Sequence, residues 1–88
     1  MGFVYFFMSP DCEAVKIGFS ANPYMRLANY KTAHYQDVAW EDIYPGTPAD
    51  EIALHKFLEP HRIQRKWFRL NDAVSDFFSK TYKMRGSP

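Results

Sequence analysis

At 88 residues the chain is read as one domain, 1–88, and a domain of that size buries only roughly 60–65% of the surface its unfolded form exposes. Eight Phe, six Tyr and two Trp offset this with large apolar area per residue, while the lone Cys12 excludes an intramolecular disulfide and a multi-cysteine zinc site and fits a reducing compartment. The formal charge of +1 is uninformative about partners, but its distribution is not: four Arg or Lys fall within 62–69, Lys80, Lys83 and Arg85 follow, and acidic residues gather in 37–59.

The opening G-F-V-Y-F-F-M lacks a basic leader and is too short for a signal-peptide core plus cleavage region. No run reaches membrane-spanning length, so a soluble, cytoplasmic protein without membrane contact is expected. F-V-Y-F-F-M (3–8) and A-V-K-I-G-F (14–19) read as strands joined by the turn-rich S-P-D-C-E into a hairpin. Asn22-Pro23 supplies an N-cap and a first-turn proline for a helix to about residue 32. D-V-A-W-E-D-I-Y (37–44) reads as a third strand. Thr47-Pro48, with Asp50 in capping-box position, opens a helix to about Glu59, where Pro60 stops it. K-W-F-R-L (66–70) is short and extended. Asn71 caps a last helix over about 72–83, with Val74, Phe77, Phe78 and Tyr82 on one stripe. The order ββαβαβα implies an α+β fold, a small antiparallel sheet built on the N-terminal hairpin with helices packed against it.

Lys16 sits inside an otherwise apolar strand, where an ammonium group needs a partner or water. Alternation puts Phe3, Tyr5 and Phe7 on one face of the first strand, and Ala14, Lys16 and Gly18 on one face of the second. A hairpin closing symmetrically about the Pro10–Asp11 bond pairs Tyr5 with Lys16, Phe3 with Gly18 and Phe7 with Ala14; a one-residue slip would send these sets to opposite faces. In that register Gly18 and Ala14 leave room around the ammonium, a polar spot on a hydrophobic sheet. The plainer alternatives are a core tyrosine and a lysine whose stem covers the sheet while its head reaches solvent.

Arg26 lies one turn into the first helix, directly after the strand carrying Lys16, and its planar fork suits phosphate; an exposed helix arginine is the alternative. On the second helix Leu54, Leu58, Phe57 and Ala53 share an apolar arc, Glu51 borders it and His55 lies beside Glu51. A carboxylate at that margin suits a hard cation such as Mg²⁺, or else compensates the helix dipole. His55 can orient Glu51 or a phosphate, or be an ordinary boundary histidine. In K-W-F-R-L, Phe68 and Leu70 face inward while Arg65, Trp67 and Arg69 share the other side. A ring flanked by guanidinium groups stacks on bases or sugars, unless the last helix covers it. Arg62, Arg65, Lys66, Trp67 and Arg69 are the candidate nucleic-acid contacts.

In combination, F-V-Y (3–5), K-I-G (16–18), the G-x-S-x-N-x-x-x-R run ending at Arg26, E-x-x-L-H-x-x-F in the 51–58 region and W-F-R-L resemble the GIY-YIG nuclease superfamily. The likeness is to its small phage and bacterial DNA-binding branch, where lysine commonly replaces the second tyrosine, and it covers roughly residues 3–70. The resemblance implies hydrolysis of a DNA phosphodiester with one divalent cation, Mg²⁺ or Mn²⁺. Tyr5 would contact or deprotonate the attacking water, and Lys16 would assist that step or hold a phosphate. Arg26 would stabilise phosphate charge, Glu51 would hold the metal and His55 would complete the set. Positive charge preorganised where negative charge develops is physically coherent with that role, and a Lys16 amine near Arg26 and a metal would have a lowered pKa. Phe3 replaces a common glycine, Lys66 stands where the branch often has glutamate, and no asparagine matches the one that follows the glutamate in larger members. A bare domain has little surface for sequence recognition, so a cutter would be non-specific, a homodimer or dependent on a separate targeting protein. The alternatives are a non-catalytic DNA-binding or adaptor module of the same fold, and a structural domain without nucleic acid.

Overall fold

The alternation in the first two strands commits the sheet to two buried faces, and the helices divide between them. A computed structural model describes residues 2–34, 38 and 40–82. Its elements are β1 (Gly2–Met8), β2 (Ala14–Ser20), α1 (Pro23–His34), β3 (Trp40–Gly46), α2 (Pro48–Phe57), a 3₁₀ turn (Glu59–His61), β4 (Arg62–Gln64), β5 (Trp67–Arg69) and α3 (Asp72–Tyr82). The fold is α+β, and every strand pair of the five-stranded sheet, ordered β3-β1-β2-β5-β4, is antiparallel.

One face packs Val4, Phe6, Val15, Ile17 and Phe68 against Leu54 and Leu58 from α2 and its end and Val74 and Phe78 from α3. The other packs Tyr5 and Phe7 against Leu27 of α1, with Val38 and Ile43 beside them. Local signals start each helix. The Asn22 side chain accepts from the Met25 amide at 3.2 Å. Thr47 and Asp50 complete a reciprocal capping box, and Asn71 accepts from the Val74 amide at 3.0 Å.

The hairpin register differs from the symmetric one by two residues: Tyr5 lies opposite Gly18, Phe7 opposite Lys16 and Phe3 opposite Ser20. The tight turn does form, with the Cys12 amide donating to the Ser9 carbonyl at 2.8 Å, but the ladder does not resume there. Cys12 adopts a left-handed φ of 61°, Asp11 accepts from Ser9 Oγ and the Glu13 amide, and pairing restarts only at Ala14, whose carbonyl accepts from Ser9 N. A shift of two preserves faces, so Tyr5 and Lys16 still share one.

Three other readings change. Residues 62–64 form an additional short strand. Phe57, placed on the apolar arc of α2, is 65% exposed and meets only the edge of the core through Phe77; a ten-residue helix buries the narrow Leu54–Leu58 stripe once α3 covers the rest of the sheet. The third strand begins at Trp40 and runs to Gly46. Asp37, Ala39, Lys83, Arg85 and the Tyr82 side chain lie outside the described residues.

Truncating Phe68, fully buried between both helices and the sheet, is therefore expected to cost about 3–5 kcal/mol. Phe57→Ala should cost less than about 1 kcal/mol. Urea unfolding of the two variants checks this; equal losses would restore Phe57 to the core.

Candidate functional site

β2 and β5 pair only from Ala14 to Lys16, opposite Arg69, Phe68 and Trp67. At the next residue β5 has turned away. Ile17 N–H still donates to the Lys66 carbonyl at 2.9 Å, but the Ile17 carbonyl is met by a side chain, His55 Nε2 of α2, at 2.9 Å. A carbonyl only accepts, so Nε2 carries the proton. The imidazole also packs on Phe68, ring centres 5.1 Å apart. This bond holds α2 at the open edge of β2 and brings Glu51, one turn earlier, to the same edge. Glu51 Oε2 lies 3.6 Å from His55 Nε2 and 3.0 Å from Lys66 Nζ.

Gly18 supplies the space on the opposite face. A methyl group built there would lie 2.3 Å from the Tyr5 hydroxyl, so the phenol occupies the room that the missing side chain leaves. Tyr5 is 1% exposed and stacks on Phe7, centroids 4.5 Å apart. Lys16 stands in one cross-strand row between Phe7 and Trp67. Above that row Tyr30 of α1 touches both rings, at 6.2 and 5.9 Å. Aromatic rings thus flank a half-buried Lys16 that opens onto solvent through the hollows it lines.

Two hollows meet at Lys16. One, of about 520 Å³, is lined by Lys16, His55, Arg62, Arg65, Lys66 and Trp67. The other, of about 280 Å³, is lined by Lys16, Arg26, Asn29, Tyr30 and Ala33. Burial raises the Tyr5 pKa, against the pull of the Lys66 and Arg26 charges and with a contribution from Glu51; the phenol stays neutral and can donate. Burial lowers the Lys16 pKa, and the Lys66 and Arg26 charges push it further down. Among the described residues no carboxylate pairs with Lys16 or Arg26. Two unmatched cations beside a buried hydroxyl make an anion-binding geometry.

The comparison with protein families follows the same boundaries: the profile of the T5orf172 domain matches residues 2–82. The chain belongs to the T5orf172 domain family. This is a phage-associated family of nuclease-like or DNA-binding-like character. No curated protein and no solved structure matches the chain. The GIY-YIG resemblance is thereby corrected, because the family that matches is a different one. The motifs behind that resemblance were a few residues each, and a tyrosine packed over a glycine beside a strand lysine is what an aromatic hairpin of this register produces without common membership.

Of the residues singled out from the sequence, Tyr5, Lys16 and Arg26 lie on the α1 side of the end of the β2–β5 ladder, and Glu51 and His55 on the α2 side. The basic strip divides. Arg65, at a left-handed φ of 49°, projects from the β4–β5 turn. Lys66 is the counter-charge of Glu51. Arg62 is committed to Glu59 at 2.9 Å, to the Arg65 carbonyl and to the Phe68 ring. Arg69 lies beyond Trp67, on a separate hollow with Asp11, Glu13 and Gln64. Trp67 leans on α1 through Tyr30 and is not covered by α3. Sequence reading missed Tyr30 and Asn29 as walls and the Lys66–Glu51 pair.

Among the described residues no three His, Cys, Asp or Glu side chains form a metal-ligand group. Glu51 Oε2 is nonetheless buried without a hydrogen bond, the Lys66 contact being ionic. A single buried carboxylate is the donor type a hard cation such as Mg²⁺ takes when waters fill its remaining positions. Also among the described residues, no helix is long and apolar enough to cross a membrane.

Between the lowered Lys16 pKa and the ordinary 10.5 the unfolded chain holds the proton that the folded one has lost, so stability rises with pH through that window. Lys16→Met, which keeps the stem, is expected to melt higher than the parent at neutral pH, with the gap closing as pH climbs towards 10.5. Thermal denaturation across pH checks it, and a variant that melts lower at neutral pH would contradict the buried-cation account.

Proposed function

We propose that the cleft grips a DNA phosphodiester and hydrolyses it with one divalent cation, Mg²⁺ or Mn²⁺, as an endonuclease or nickase. What supports this most is the meeting of unmatched Lys16 and Arg26 with the buried Tyr5 hydroxyl at the junction of two hollows. Arg26, always charged, stabilises the negative charge that grows on phosphorus-bound oxygen. The Tyr5 hydroxyl, kept neutral by burial, orients the attacking water. Lys16, whose amine loses its proton more readily than an exposed lysine, takes the proton from that water. Glu51 would hold the cation, which when bound supplies Lewis-acid polarisation of the phosphoryl group. His55 is a positioning residue, acting through α2. Trp67 and Arg65 on the rim stack on a base and contact flanking phosphate.

A second reading, DNA binding without cleavage, is favoured by the Lys66–Glu51 pair. A free carboxylate would repel phosphate, and Lys66 at 3.0 Å neutralises it. Plasmid nicking with Mg²⁺ or Mn²⁺, with and without chelator, separates the two. Hydrolysis predicts metal-dependent nicking, lost in Glu51→Ala and reduced about 10²–10³-fold in Arg26→Ala. Cleavage that persists in Glu51→Ala removes the metal role. Salt-sensitive DNA affinity without any cleavage establishes the binding module instead.

A further inference from the structure

Two lysines line the larger hollow, and only one has a free amine. Lys66 is held against Glu51 at 3.0 Å. Lys16 has no carboxylate partner among the described residues, stands in the cross-strand row between Phe7 and Trp67, and lines both hollows. Imine formation needs such an amine: unpaired, immobilised and able to shed its proton. Burial and the nearby Arg26 and Lys66 charges favour the neutral form.

We propose that Lys16 is also a nucleophile towards aldehydes, and that its target is the ring-opened deoxyribose of an abasic site in DNA. The proposal rests on the cleft binding DNA. Trp67, the cross-strand neighbour of Lys16, offers an aromatic face where the base is missing, and Arg65 and Arg26 line the two hollows that share Lys16, where they can meet flanking phosphates.

The Lys16 Nζ lone pair attacks the sugar C1′ aldehyde, and the carbinolamine, whose hydroxyl takes a proton from solvent, loses water to give an iminium. The C2′ proton, acidified by that cation, passes to water in the open hollow. The electron pair left behind forms a new double bond as the C3′–O bond breaks, and the phosphate of the 3′ strand departs with the bonding pair. Water then hydrolyses the unsaturated imine and returns the amine. No metal, oxidant or reductant enters.

The test is borohydride trapping on a labelled duplex with a single abasic site, in chelator. Expected is a covalent protein–DNA band whose modified peptide carries Lys16, with metal-independent scission on the 3′ side of the lesion. The adduct should be lost in Lys16→Arg and kept in Lys56→Arg, with melting curves showing both folded. No adduct although the parent binds the duplex by anisotropy, a peptide modified at Lys66 or elsewhere, or an undiminished adduct in Lys16→Arg would overturn the proposal. Absence of DNA binding by the parent would overturn it together with the reading on which it rests, while loss of nicking alone would leave the trapped adduct intact.

Discussion

The bond from His55 Nε2 to the Ile17 carbonyl fixes how the two halves of the molecule meet. An unsatisfied buried carbonyl costs about 1–3 kcal/mol, so a strand whose neighbour peels away needs another donor. The imidazole provides it and in doing so locks α2 against the one stretch of β2 that no strand covers. The open edge is thus neither a free template for another strand nor a plugged one. It is a short gap with α2 on one face, α1 on the other, and Lys16 beside it.

From that placement the electrostatics follow. The paired charges, Lys66 with Glu51 and Arg62 with Glu59, sit at the α2 side and the β4–β5 turn. Lys16 and Arg26, which have no carboxylate partner among the described residues, face the α1 side. A phosphate entering between them gains two cations without breaking an existing pair. A cation at Glu51 would instead displace the Lys66 ammonium, so metal binding and the Lys66 contact compete. One sheet therefore carries a carboxylate and an arginine on opposite faces beside the same open edge.

Much of this was legible in the sequence, for physical reasons. A period of two fixes faces without coordinates, so Tyr5 and Lys16 share a face as expected although they are not opposite each other, and Asn22, Thr47 and Asn71 are local caps. The register was not legible, because it depends on Cys12 entering the left-handed region while the Asp11 side chain ties back the Ser9 hydroxyl and the Glu13 amide, an arrangement that strand alternation does not encode. The exposure of Phe57 depends on where α3 lies. The Lys66–Glu51 and His55–Ile17 contacts join residues far apart in the chain, and spacing carries no information about them. The family likeness failed differently: short motifs on a common hairpin resembled one superfamily while residues 2–82 match the T5orf172 domain.

The central claim is that an anion enters at the end of the β2–β5 ladder, on the Lys16 side. The most direct measurement is a two-dimensional NMR titration of labelled protein with a short DNA duplex in chelator. The account expects the largest shifts at the Lys16, Ile17 and Gly18 amides, the Arg26 side chain and the Trp67 indole, with the α2–α3 surface around Phe57 and Phe77 unmoved. Shifts centred on that surface, with Lys16 and Arg26 silent, would contradict it.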